Sequence, residues 1–150
     1  MDDATKQKAA LEISKIDSLV EKTSVLLSKC KIAEPDFVEL NAIGSILHSY
    51  YGGVESVFNL IYKLIYNKTL SGNMWHSDLF TDMFEKTDFH EPILPQELFK
   101  PLREYLGFRH VFRHSYGYEL DWKRMQPLFF ALSENWAAVK SALKKFFNIS

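Results

Sequence analysis

Arg109, His110, Val111, Phe112, Arg113, His114, Ser115 and Tyr116 put two arginines, two histidines and a tyrosine into one stretch that otherwise reads as helix. Packing alone does not explain that density. A core position takes Leu or Ile, and a solvated face usually takes Lys and Glu. Arginine presents a planar fork of donors matched to phosphate oxygens and stays charged. Histidine titrates near neutrality and can accept or deliver a proton. Together these groups suffice to cleave RNA without a metal ion. A base removes the 2′-OH proton, the 2′ oxygen attacks the adjacent phosphorus, and an acid protonates the leaving 5′ oxygen. The arginine stabilises the charge that builds up at phosphorus. The nucleophile belongs to the substrate, so the chain needs no Ser or Cys of its own. The spacing Arg109-x-x-x-x-His114-x-Tyr116 is the most specific pattern in the chain.

On an ideal helix at about 100° per residue, Arg109, Arg113 and Tyr116 share a wedge of roughly 60°. His110 and His114 form a second stripe, with Val111 and Phe112 turned towards the core. Arg109 and His114 lie about 140° apart, so two copies facing each other across a two-fold axis would complete a site more readily than one. Three readings of the cluster compete. His110 and His114 have the i, i+4 spacing of metal ligands, but no third ligand is evident. A structural cluster would pair the arginines with carboxylates, Glu55 foremost. A phosphate-binding or catalytic site is the favoured reading. The chain offers no Gly-rich phosphate loop, nucleophile elbow or paired-carboxylate motif to compete with it.

The elements that must position these residues read as helices, with almost no strand signal. A first helix is expected from about Ala4 to Lys31, with Ile16, Leu19, Val20, Leu26 and Leu27 as its apolar stripe. Pro35 marks a break and suits a first helical position. A second long helix, from about Asp36 to Asn67, is apolar nearly all round and must be buried on more than one side. Gly52-Gly53 within it suggests close approach of another helix. Glu55 is a carboxylate in an apolar segment; either it is buried and needs a partner, for which the arginines of 109–116 are the candidates, or it lies on the exposed edge of the helix. A short helix is expected from Met74 to Glu85 with Leu79, Phe80, Met83 and Phe84 inward, and His76 near its start reads as a packing or capping residue. A fourth helix runs from about Gln96 to His114, ended by Gly117. Asp121 caps the last helix, which reaches about Phe147 and is kinked or preceded by a separate turn at Pro127. The sum is one all-α domain over 1–150, an antiparallel bundle of four long helices and a short one.

The bulk numbers narrow the partners. A net charge of −1 over 150 residues rules out a general electrostatic coat for nucleic acid, so an anionic ligand must be held locally. A hydrophobic fraction of 47% and an aromatic fraction of 15% indicate a globular chain. Cys30 is the single cysteine, which leaves no intrachain disulfide and no cysteine-built zinc site. The start Met1-Asp2-Asp3 is unlike a secretory leader and no apolar run is long enough for a membrane span, so a cytoplasmic location is expected.

Arg109-x-x-x-x-His114-x-Tyr116 resembles the signature of HEPN-domain proteins, specifically the HepT ribonuclease toxins. Tyr50-Tyr51-Gly52-Gly53-Val54-Glu55 is similar to the glycine–glutamate segment on that family's long second helix. Ser71-Gly72-x-x-Trp75-His76-x-x-Leu79 and Phe108-Arg109-His110-x-x-Arg113-His114-x-Tyr116-x-x-Glu119-Leu120 continue the likeness in the same order. The resemblance implies a HEPN-like homodimer with the motif at its interface and metal-independent endoribonuclease activity needing no cofactor. It implies Arg109 and His114 as catalytic residues, with His110, Arg113, Tyr116 and Glu55 assisting or binding phosphate. It also implies a partner, a minimal nucleotidyltransferase antitoxin (MntA-like) that silences the toxin by attaching AMP to Tyr116, as in type VII-like toxin–antitoxin pairs. The alternative within the same resemblance is a non-catalytic HEPN subunit that binds such a nucleotidyltransferase.

Overall fold

The computed structural model describes residues 1–116 and 119–150. Among these, all regular structure is helical: α1 (Asp3–Lys22), α2 (Ser24–Cys30), α3 (Phe37–Tyr66), α4 (Trp75–Phe84), a 3-10 turn (Gln96–Leu98), α5 (Phe99–His114), α6 (Trp122–Phe130) and α7 (Leu132–Phe147). The all-α class stands. The count of four long helices and a short one does not, because two expected helices are broken. The first is interrupted at Thr23, whose hydroxyl donates to the Val20 carbonyl at 2.6 Å and competes with the helical ladder there. The last is interrupted at Ala131 rather than at Pro127, which α6 carries in its interior.

The long helix α3 is the organising element and packs against α1, α4, α5 and α6. Its start is set by a reciprocal capping box: Asp36 accepts from the Glu39 backbone at 2.8 Å, and Glu39 accepts from the Asp36 backbone at 3.0 Å. Asn67 ends it in the left-handed conformation. Because α3 is apolar nearly all round, Ile43, Leu47, Tyr50, Tyr51, Val54, Val57, Phe58 and Ile61 are all fully enclosed by neighbouring helices. Gly53 serves the close approach expected of it, since a Cβ there would come within 2.8 Å of Ile16 on α1. Gly52 does not; a Cβ on it would meet open space. A similarly close contact, to the motif helix, is made by Gly44, where a Cβ would sit 2.9 Å from the Phe112 ring.

Cross-links fix the remaining helices. Tyr50 donates to Asn135 at 2.6 Å, tying α3 to α7, and Tyr105 donates to the Leu128 carbonyl at 2.7 Å, tying α5 to α6. Trp136 and Lys140 of α7 both donate to Asp17 of α1, at 2.7 and 2.8 Å. The Asp121 cap is present, with its carboxylate accepting from the Lys123 backbone at 3.1 Å. Among the described residues no helix is long and apolar enough to cross a membrane.

Candidate functional site

The motif occupies the end of α5. Leu102, Tyr105 and Phe108 are buried and hold that helix to the core, and Phe112 continues the seam against α3. This seam sets the outlook of every polar residue around it. Arg109 is half-buried on one flank, while His110, Arg113 and His114 are exposed. The His110 and His114 rings stand 4.6 Å apart, as their i, i+4 spacing requires. Val111 does not turn towards the core as expected; it is 43% exposed, because only Phe108 and Phe112 fall on the buried seam. Tyr116 is not in the helical wedge of Arg109 and Arg113 either. The helix stops at His114, Ser115 is extended, and Tyr116 follows beyond the end, 69% exposed. The expectation that Gly117 ends this helix lies outside the described residues.

Beneath the arginines, α3 presents three polar residues one turn or so apart, His48, Tyr51 and Glu55. Glu55 is buried, as its apolar surroundings imply, but its partner is not an arginine. His76 Nδ1 lies 2.8 Å from Glu55 Oε2. This overturns two expectations at once. His76 is not simply a packing residue at the start of α4, and the arginines are left without a carboxylate. Among the described residues Arg103, Arg109 and Arg113 form no ion pair. The reason is geometric: α4 packs against α3 and sets its first-turn imidazole on Glu55.

His48 is the residue that sequence reading missed. Its ring stacks on Phe112 at 5.1 Å, and its Nδ1 is buried with no hydrogen-bond partner among the described residues. Burial holds its pKa below the usual histidine value, and the charges of Arg109 and Arg113 push it the same way, against a smaller pull from Glu55. The Tyr51 hydroxyl is likewise buried without a partner. Its pKa is raised, chiefly by burial and then by Glu55, with Arg109 opposing. The legible signal was the i, i+3, i+7 spacing of His48, Tyr51 and Glu55 on a helix otherwise apolar.

The result is a surface rich in guanidinium and imidazole groups, backed by the half-buried His48 and the buried phenol of Tyr51. Arg109, Arg113 and His114 lie within one turn or so of each other, with Tyr116 just past the helix end. Such a surface can bind phosphate oxygens and exchange protons. Among the described residues no three His, Cys, Asp or Glu side chains gather as metal ligands.

Comparison with curated proteins and with solved structures finds no match. A family model described as HepT-like protein matches residues 42–149, from the first turns of α3 to the end of α7 and through the whole of the site. The match spans well over half of the chain, and the chain belongs to the HepT-like protein family.

Proposed function

We propose that this HepT-like chain is a metal-independent endoribonuclease toxin of a type VII-like toxin–antitoxin pair. The observation that carries the reading is the set of guanidinium groups that have no carboxylate partner among the described residues, gathered with two exposed imidazoles at the end of α5. Arg109 binds the scissile phosphate and stabilises the charge that develops on it. His114 transfers the proton, taking it from the 2′-OH or giving it to the departing 5′ oxygen. Arg113 and His110 hold neighbouring phosphate oxygens, and Glu55 acts from behind through His76. The two catalytic side chains leave α5 in directions about 140° apart. A homodimer that brings the two α5 ends together supplies Arg109 and His114 from facing copies.

Tyr116 is the point of control. Its exposure beyond the helix end suits modification by a minimal nucleotidyltransferase partner. An attached AMP would set a phosphate against the arginines and compete with RNA.

The test is cleavage of a fluorogenic RNA by purified protein. His114→Ala and Arg109→Ala are expected to lower the rate at least about 100-fold with the helical content unchanged. Parental rates in both variants would sink the catalytic assignment. Intact RNA with the unmodified parent chain would favour the non-catalytic partner-binding subunit instead. Incubation with ATP and the nucleotidyltransferase should add one AMP to the parent and none to Tyr116→Phe, as read by mass spectrometry.

A further inference from the structure

A cleft of about 310 Å³ opens between the start of α4 and the middle of α5. Asn73, His76 and Ser77 form one wall, and Arg103, Arg109 and His110 form the other. Among the described residues no carboxylate lines it. Glu55 lies behind His76 and occupies its Nδ1, which fixes the ring and leaves Nε2 as the nitrogen available to a ligand. Nε2 makes no hydrogen bond among the described residues, and neither Arg103 nor Arg109 has an ion-pair partner there. Arginine donors of α5 with no acceptor among the described residues face the cleft, with the His76 ring of α4 across from them.

The cleft also has a direction. Arg103, Gly107, His110 and His114 recur on successive turns of α5 and, at about 100° per residue, share a wedge of roughly 60°. Arg103 and His114 are then about 16 Å apart along the axis. Gly107 stands in the middle of this track. Glycine is a poor choice for a helix interior, and neither usual reason for one applies here. Its φ is not positive, and a Cβ would meet nothing within 4 Å. The fold does not need a glycine at 107; a chain passing over the helix surface would.

We propose that Arg103 binds in this cleft a phosphate of the RNA strand next to the scissile one held by Arg109, so that the substrate is a strand several nucleotides long laid along α5 from Arg103 to His114. The ligand class rests on the ribonuclease reading above. The net charge of −1 makes such a subsite necessary, because the rest of the surface offers a polyanion no general attraction.

The experiment measures binding of a fluorescein-labelled uridylate decamer to full-length His114→Ala protein by anisotropy over a range of salt. Adding Arg103→Gln should weaken binding about tenfold and lower the slope of log affinity against log salt by about one. Gly107→Leu, whose Cβ would meet nothing within 4 Å, should weaken it to a similar degree by obstructing the track. Lys22→Gln, at the end of α1, should change neither affinity nor slope. Parental affinity and slope in both the Arg103→Gln and Gly107→Leu proteins would overturn the proposal, as would failure of the His114→Ala protein to bind the decamer. Cleavage is read separately with His114 in place. A chain that binds the decamer through Arg103 but cuts no RNA therefore refutes the nuclease assignment and not the cleft.

Discussion

Glu55–His76 and Asp82–His90 are the same pair of functional groups at nearly the same separation, 2.8 and 3.0 Å, and both involve α4. Their burial runs in opposite senses. In the first the carboxylate is enclosed, at 8% exposure, and the imidazole reaches outwards, at 22%. In the second the histidine is enclosed, at 6%. His90 has both ring nitrogens occupied, since Nδ1 donates to the Glu91 carbonyl at 2.7 Å while Nε2 meets Asp82. Asp82 in turn accepts from Tyr66 at 2.8 Å. That pair is closed on itself and fastens the segment after α4 to α3. The Glu55–His76 pair is open on one side, and its open side faces the arginines of α5. A histidine–carboxylate pair acquires a function only through what its remaining nitrogen meets.

The comparison can be broken most forcefully at the closed pair. His90→Ala removes two hydrogen bonds and a buried ring, and should cost about 2–3 kcal/mol of stability in urea unfolding. RNA cleavage per folded molecule should stay at the parental level. A loss of cleavage larger than the loss of folded protein would show that the closed pair is not purely structural.

The open pair should respond the other way. His76→Gln keeps a donor for the buried Glu55 carboxylate and so should change stability by less than about 1 kcal/mol. It should weaken binding of the uridylate decamer several-fold, because a ligand-facing nitrogen is lost from the cleft. Unchanged affinity together with a marked drop in stability would place His76 in the same structural class as His90.

His48 gives the smallest effect and sharpens the contrast from a third side, as a half-buried histidine with no carboxylate partner among the described residues. Its folded-state pKa lies below the unfolded value, for reasons of burial and of the nearby Arg109 and Arg113. The sign follows directly. Above the unfolded histidine pKa of about 6.5 the group contributes no penalty, and below it the unfolded chain takes up the proton more readily, so stability falls. The fall between pH 7 and pH 5 should be shallower in His48→Phe, which keeps the stack on Phe112. An identical pH profile for the two proteins would show that His48 is not the group responsible.

Much of this was legible in the chain. The cap at Asp121, the inward face of α4 and the apolar girth of α3 follow from local rules, each decided by residues a few positions apart. Pro35 is not the first helical position expected of it, because the Asp36 cap follows it and α3 begins at Phe37. The burial of Glu55 was legible only in part, because its apolar neighbours favour it while the helix has an exposed edge beside it, at Ser56. The partner of Glu55 was not legible. An isolated His76 at the head of a short helix carries no mark of the residue 21 positions earlier that it will meet. Helix breaks were partly hidden for a similar reason. Pro127 is the conspicuous breaker, yet it lies inside α6 and the chain turns at Ala131.

The sequence by itself determined the all-α class, the motif Arg109-x-x-x-x-His114-x-Tyr116 and the family to which the chain belongs. All of these rest on composition and short-range spacing. The tertiary structure alone decided that Glu55 is taken by His76 rather than by the arginines, that His48 lies against Phe112, and that Arg103 joins the motif's surroundings through a shared cleft. Those pairings depend on which helices approach α3 and at what depth. That depth is set by the small residues Gly44 and Gly53 and by the sum of the core contacts, not by any rule of local spacing.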